Sequence, residues 1–257
     1  MAIRDLVVRG HLNATSVMVV APSFHRSEAL SLNVLNAGMP RVAIGLHVTL
    51  TAPFRPLSKG YKPTRDGAFL PLGATLARAM LHGLHREAIM NEIAAQLRLF
   101  VHTFGRPPDF IDGHQHVQLF PQVRDALLTV ASQSAPAAWV RQCGRVAPLS
   151  QRLRDRKALL LDVLSHGFRQ RATALGVRTN PGFAGTYEFN ERANFAALFT
   201  RFLDHLPNGS VIMCHPGFVD AELQRLDPLT TLREREYAFL ADEGFPSLLA
   251  AHGVVLA

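Results

Sequence analysis

Apolar residues recur at helical spacing at the start of the chain, where Ile3, Leu6 and Val7 share a side and Gly10 is placed to stop the turn. A helix is therefore expected over residues 2–9, with no strand before it. The pattern then shortens. Residues 15–20 read TSVMVV, a buried strand ended by Ala21-Pro22, and residues 28–35 return to a helical period. Residues 42–51 form a second strand, almost wholly apolar, with His47 near its end. Strand, helix, strand in this order argues for parallel βαβ units.

Residues 53–72 are rich in Pro, Gly, Lys and Arg, a stretch too long and polar for a plain connector and suited to a binding loop or lid. Residues 76–104 are expected to be helical. The clearest amphipathic part is 87–100, with Ile89, Ile93, Leu97 and Phe100 on one face and Glu92, Gln96 and Arg98 placed elsewhere. Gly105 to Pro108 breaks that helix. After it the short apolar run Phe110-Ile111 leads into Asp112-Gly113-His114-Gln115-His116, and Pro121 opens a further helix at its first position. A short strand is expected over 138–141, one or two helices over 149–175, a loop over 179–187 and a helix over 190–206. The strand 210–214 then runs into His215-Pro216-Gly217, followed by a helix over 231–241 and a closing strand over 254–256. No repeat, low-complexity tract or domain boundary interrupts the pattern, so residues 1–257 are expected to be one domain.

Composition narrows the class. The chain has 257 residues, 48% of them hydrophobic and 18% charged, which is a folded globular balance. Its formal charge is +7, much of the excess lying at Arg152, Arg154, Arg156, Lys157, Arg169 and Arg171. Arginines spaced among leucines form the wet face of a helix, and no zinc knuckle or aromatic RNA-binding signature accompanies them, so no nucleic-acid partner is expected. The two cysteines, Cys143 and Cys214, lack CxxC spacing and point to a reducing, cytoplasmic setting. No run approaches the roughly 20 apolar residues of a membrane helix, so no stable membrane anchor is expected.

Three polar clusters stand at or just beyond the ends of apolar strands: His47, then Asp112 with His114 and His116, then His215. In open parallel sheets and barrels that edge is where ligands bind, so a shared site is a geometric expectation. If the strand continues through 112–116, side chains two apart share a face, and Asp112, His114 and His116 point into one pocket. Imidazoles with a carboxylate suit a divalent cation such as zinc, which activates water and polarises a carbonyl. A histidine outside such a shell can protonate a leaving group. Taken singly, a histidine placed as His47 is more often a satisfied core histidine than a ligand, and His215 before Pro-Gly also suits a turn cap. His82, His85, His102, His166, His205 and His252 read as surface residues.

The segments Gly45-Leu46-His47-Val48-Thr49-Leu50, Ile111-Asp112-Gly113-His114-Gln115-His116-Val117 and Met213-Cys214-His215-Pro216-Gly217 stand in this order and at these separations. Together they resemble the YdjC-like carbohydrate deacetylase family, with further similarity at Ala14-Thr15-Ser16, Arg141 and Arg233-Glu234-Arg235-Glu236. The resemblance implies an α/β fold of TIM-like (β/α) barrel type, seven-stranded in the family and lacking its first strand here. It further implies one divalent metal ion, Mg or Zn, and hydrolysis of an N-acetyl group from an amino sugar or oligosaccharide. By motif, His47 and His114 match metal-binding histidines and His215 matches a general acid. Asp112, His116 and Arg141 match second-shell or substrate-contacting groups. His116 competes with His114 as the ligand, and spacing does not decide between them. A homodimer is a candidate assembly.

One departure stands out. Family members begin with a strand ending in an Asp-Asp-Phe-Gly-like motif that supplies an aspartate ligand and a carboxylate base. Here the chain begins in the helix that follows such a strand, and Asp5 within that helix is no substitute. The chain is expected to be an N-terminally truncated member whose site holds a metal less well and lacks its base; either the missing strand is encoded upstream of Met1, the favoured explanation, or the enzyme is truncated and impaired. Two rival readings follow: a non-catalytic sugar-binding protein of the same fold, and a binder of nucleic acid or anionic surfaces through the arginines of 152–171.

Overall fold

A computed structural model describes residues 1–39, 41–146, 156–227 and 230–256. The chain opens with helix α1 (Ala2–Val8), which ends at Gly10 in the left-handed region, as its spacing predicts. Strand β1 (Ala14–Val17), helix α2 (Arg26–Val34) and strand β2 (Ala43–Val48) follow as a parallel crossover unit. Both strands are shorter than their apolar runs, because Met18 to Val20 and Thr49 to Thr51 already belong to the loops leaving the sheet.

Residues 53–72 contain a small antiparallel hairpin, β3 (Thr64–Arg65) with β4 (Ala68–Phe69). The expected helix over 76–104 is two helices, α3 (Leu72–Met80) and α4 (Arg86–Phe104), separated at Leu81 to His85. Strand β5 (Phe110–Gly113) leads into a 3-10 turn, His114–Leu119, and α5 (Pro121–Ser134) starts with Pro121 at its first position. Strand β6 (Trp139–Val140) precedes α6 (Arg156–Ala174). The stretch 179–187, expected to be loop, carries β7 (Phe183–Ala184). Helix α7 (Phe195–Phe202), strand β8 (Val211–Ile212), and helices α8 (Ala221–Leu226), α9 (Thr231–Leu240) and α10 (Phe245–Ala251) complete the order. The closing strand expected over 254–256 does not form, and Val255 is 86% exposed. Of the basic stretch, Arg152 and Arg154 lie outside the described residues. Arg171 pairs with Asp125 at 3.6 Å on the surface.

The pairings establish a parallel arc. Sheet order is β1-β2-β5-β6, continued by a bridge from Val140 to Thr179, a bridge from Arg145 to Phe183, and the parallel β7-β8 pair. Among the described residues no ladder joins β8 back to β1. Consistent with that edge position, β1 is only partly buried along its whole length. Central β2 shows the opposite, with Ile44, Leu46 and Val48 fully buried, as a strand covered on both faces requires. Gly45 has a steric reason to be glycine: a Cβ there would stand 2.5 Å from the ring of Phe110, which stacks on Trp139 at 4.6 Å.

Two apolar clusters hold the arc. The larger packs β2 and β5 against Ile89, Ile93, Leu97 and Phe100 of α4 and against α5. The smaller joins Leu6 of α1 to Tyr187, Phe195, Phe199, Leu240, Phe245 and Leu249, so the first helix docks on the last ones. The clusters place the C-terminal ends of the parallel strands, and the loops leaving them, on one side.

Candidate functional site

His47 and Asp112 are register partners on β2 and β5, and both stand at the strand ends. Their side chains meet: Asp112 Oδ1 lies 2.6 Å from His47 Nδ1. The other carboxylate oxygen accepts from Ser16 Oγ at 3.2 Å and pairs with the Arg141 guanidinium at 2.8 Å. Arg141, one residue past β6, also donates to the Gly113 carbonyl at 2.9 Å and lies over the Phe183 ring. Burial alone would push the Asp112 carboxyl up. The charge of Arg141, the His47 contact and the Ser16 hydroxyl outweigh it, and the carboxyl is held well below the usual range. Asp112 is thus an anion at neutral pH, buried to 3% exposure and fully engaged.

That engagement has a chemical consequence. A carboxylate on Nδ1 keeps the proton of a neutral His47 on that nitrogen, so Nε2 presents its lone pair outward. A ligating or proton-accepting imidazole needs this form.

His114 and His116 do not continue the strand. Gly113 ends it, and Gln115 and His116 take left-handed backbone angles with φ of 53° and 60° inside the 3-10 turn. For non-glycine residues that conformation is strained, and such strain clusters at functional sites. The expected shared face of Asp112, His114 and His116 is therefore overturned, and the turn sends the two imidazoles different ways. His114 stands edge-on between His47 and Phe54, each ring centroid 5.6 Å away. His116 turns toward Cys143, whose sulfur is 3.4 Å from Nδ1, and toward Phe183. Burial pulls His114 down to about 4, helped by the nearby charge of His47, and pulls His116 well below its ordinary value, helped by Arg141 and His215. Both are neutral imidazoles at pH 7.

His215 stands three residues beyond β8, which covers less than the strand expected over 210–214. Its backbone N–H donates to Glu236, its ring meets Phe189 at 5.3 Å, and its Nδ1 is buried without a hydrogen-bond partner among the described residues. Burial pulls it down to about 3, with the positive charges of Arg233, His47 and Arg141 adding to the effect. Contacts join His47, His114, Asp112 and Arg141, and His116 and Arg141 share the Phe183 ring, while His215 touches Glu236 and Phe189 and feels the charges of His47 and Arg141. The six histidines read as surface residues are all exposed.

Three residues escaped the sequence reading. Glu236 sits in a charged Arg-Glu-Arg-Glu run and is nonetheless fully buried. It accepts from Tyr187 Oη at 2.6 Å and from the His215 N–H, and burial raises its carboxyl. The signal was available: Leu232, Glu236 and Leu240 are four apart, on the buried stripe of α9. Glu92 and Gln96, expected away from the apolar face of α4, are also fully buried. Gln96 exchanges hydrogen bonds with the backbone of Thr49, two residues beyond His47, at 3.0 and 2.8 Å. Glu92 accepts from Gln96, from the N–H groups of Leu57 and Ser58, and from Ser58 Oγ. This network anchors the 53–72 loop, and with it Phe54, to the strand that carries His47.

What these groups offer a metal is two imidazoles, His47 with its outward Nε2 and His114 beside it. Among the described residues no group of three or more His, Cys, Asp or Glu is placed to hold an ion. The oxygens of Asp112 are engaged by His47, Ser16 and Arg141 in this arrangement. The donor set falls short of a three-donor shell. A separate cleft of about 410 Å³, lined by Ser58, Tyr61, His85, Arg86 and Asn91, contains none of the clustered residues. No helix among the described residues is long and apolar enough to cross a membrane.

Comparison with known proteins bears on this arrangement. The model of the YdjC-like protein family matches residues 1–251. A chitooligosaccharide deacetylase of Escherichia fergusonii is 30% identical over 210 residues, which is 80% of this chain and 69% of that protein. The crystal structure of an Enterococcus faecalis V583 protein, provisionally named a cellobiose-phosphate cleavage protein, superposes with a TM-score of 0.76. It covers 100% of this chain and 90% of its own at 22% identity, a likeness of fold.

Proposed function

Since the chain belongs to the YdjC-like protein family, we propose that it is a carbohydrate deacetylase that hydrolyses the N-acetyl amide of an amino sugar or oligosaccharide. The observation that supports the reading is the packing of His114 on His47 at the ends of the parallel strands, with Asp112 and Arg141 fixing His47 and the charges of His47 and Arg141 acting on His215. We take the arc as an open form of a (β/α) barrel and residues 1–257 as one domain.

The reaction breaks one C–N bond and consumes one water. The water attacks the acetamide carbonyl carbon and gives up a proton. The collapse of the tetrahedral intermediate then delivers a proton to the departing amine, leaving acetate and a free amino sugar. His215 suits the transfer, with one qualification to its expected role as acid. A buried imidazole pulled down to about 3 is neutral at pH 7, so it must first accept the proton from water before donating it. His47, with its proton kept on Nδ1, holds a lone pair toward the same space. Asp112, Arg141 and Ser16 orient His47, and His116 with Cys143 closes the far side. A divalent ion, Mg or Zn, would take His47 and His114 as donors. With no third donor among the described residues, the steps here run on the chain's own groups.

The missing third donor favours a second reading, a sugar-binding protein of the same fold that does not turn over. The decisive measurement is acetate release from N-acetylated chitooligosaccharides, with and without added Mg or Zn. Release that is lost in His47→Ala and His215→Ala supports the deacetylase. Binding of the same sugars without release supports the second reading.

A further inference from the structure

The chain carries sixteen Phe, three Tyr and one Trp. Among the exposed large apolar side chains of the described residues only two are aromatic, Phe189 at 37% and Phe218 at 50%. They are differently placed. Phe218 lies against Tyr237 at 4.6 Å, and Tyr237 in turn bonds Asp5 of α1. Phe189 lies against His215 at 5.3 Å and against Tyr187 at 4.2 Å.

Phe189 is also held in place by an unusual amount of structure. One oxygen of Glu236 accepts from Tyr187 Oη and the other from the His215 N–H. Tyr187 packs on Phe189, and Phe189 meets His215 nearly perpendicularly, at 84°. The four residues close a ring around one buried carboxylate. Phe189 and His215 are therefore fixed relative to each other, and the 84° angle means the two rings do not cover one another by stacking. A large apolar side chain at a loop tip normally gains by turning inward. This one is braced in place with over a third of its surface open, beside the histidine that the proposed reaction uses.

A flat, exposed, immobilised aromatic ring has a matching ligand chemistry. A pyranose presents an apolar face of C–H groups above and below its ring, while its polar substituents, an N-acetyl group among them, radiate from the rim. Such a face packs on an aromatic ring and displaces water from both. Bracing the ring beforehand removes the ordering cost on binding. We infer that Phe189 is the stacking platform for a pyranose ring of the substrate, holding the sugar so that its N-acetyl group lies beside His215. The inference rests on the deacetylase reading for what happens next, and on the aromatic geometry alone for the binding.

The test uses the full chain and two variants, Phe189→Leu, which keeps an apolar cover over His215 and removes the flat ring, and Phe189→Trp, which restores a larger one. Acetate release from N-acetylated chitooligosaccharides is followed for kcat and KM, and binding of the same sugars is measured separately by isothermal titration calorimetry. The expected result is a rise in KM of about tenfold in Phe189→Leu with kcat little changed, and recovery in Phe189→Trp. Phe218→Ala should behave as the parent. An unchanged KM in Phe189→Leu, no recovery in Phe189→Trp, or an equal loss in Phe218→Ala overturns the platform. If the parent releases no acetate, the deacetylase reading fails on its own, and calorimetry still decides the platform. Binding weakened in Phe189→Leu and regained in Phe189→Trp supports it. Equal binding in all three, or none in the parent, overturns it.

Discussion

His47 and His215 are each held by a buried carboxylate, and the two carboxylates grip different atoms. Asp112 takes the ring nitrogen of His47, which fixes its tautomer. Glu236 takes the backbone N–H of His215, which fixes the position of the residue and leaves its ring nitrogens to exchange protons. The surroundings differ in the same sense. Around Asp112 the guanidinium of Arg141 makes the anion stable and holds the carboxyl low. Around Glu236 burial dominates, with Tyr187 and a peptide N–H as partners, and the carboxyl rises. One wall of the site is an ion pair that supports a ring nitrogen. The other is a buried carboxyl, disfavoured as an anion, that supports a backbone N–H.

Removing Asp112 should break that contrast most severely. Asp112→Ala strands Arg141 in the interior, and an uncompensated buried charge costs about 3–5 kcal/mol. Urea denaturation should show that loss, with acetate release falling to background as His47 loses its fixed tautomer. A loss below about 1 kcal/mol would mean that the ion pair does not hold this wall.

His215→Gln should do the opposite. With the proton carrier gone, kcat should fall by about 10²–10⁴-fold, the usual worth of a general acid–base group. The urea midpoint at pH 7 should hardly move, because Glu236 binds the backbone of residue 215 whatever its side chain. A large drop in stability with this variant would show that the imidazole itself is structural.

Acid should separate the walls next. His114, His116 and His215 all have folded-state values below the ordinary 6.5 of the unfolded chain. Between 6.5 and the folded values, about 4 for His114 and about 3 for His215, the unfolded chain binds more protons, so stability falls as pH falls. At least about 2 kcal/mol should be lost between pH 7 and pH 5 in chelator-containing buffer. Asp112 adds its own loss only below about 4, where the unfolded carboxyl takes up a proton and the folded one does not. Glu236, raised on folding, works with the opposite sign: its contribution is present below about 4.5 and fades as pH rises. Melting temperature against pH reads the sum. A flat profile from 7 to 5 would show the three imidazoles to be solvated.

The polar wall was the more legible one in the sequence, and the reason is geometric. His47 and Asp112 sit at the ends of strands whose apolar runs announce both the strand and its end, so period and motif agree. The turn after Gly113 was not legible, because the residue types of Gln115 and His116 do not announce left-handed angles, and the partners that hold Gln118 beyond them, the Arg141 carbonyl and Cys143, lie far along the chain. β7 was hidden in a Pro- and Gly-rich stretch because it pairs for only two residues, too few for alternation to show. Glu92 and Gln96 were placed off the apolar face, and Glu236 was given no place at all, for a common reason. A charged or amide side chain on a helix was read by its type, while its position three or four residues from buried leucines and isoleucines puts it inside. Position was the better guide once partners such as Thr49, Ser58 and Tyr187 existed to satisfy it.

Glu236→Gln is the smallest change and the one that probes the difference between the two walls most directly. The glutamine keeps the volume of the buried side chain and removes a group that burial disfavours as an anion. Its amide oxygen can accept from the His215 N–H while its NH₂ donates to Tyr187 Oη, which keeps both contacts, or its oxygen can accept from Tyr187, which leaves the His215 N–H facing a donor. At most one hydrogen bond is lost, at about 1 kcal/mol, partly offset by the relief of the buried carboxyl. Stability at pH 7 should stay within about 1 kcal/mol of the parent, and should lose the part of its pH dependence that Glu236 supplies. If the oxygen goes to Tyr187, the His215 backbone is freed and kcat should drop by about tenfold, since a small misplacement of a proton carrier is enough to slow transfer. If it goes to His215, both kcat and KM should stay near the parent. An unchanged pH profile of stability would show that Glu236 supplies none of it.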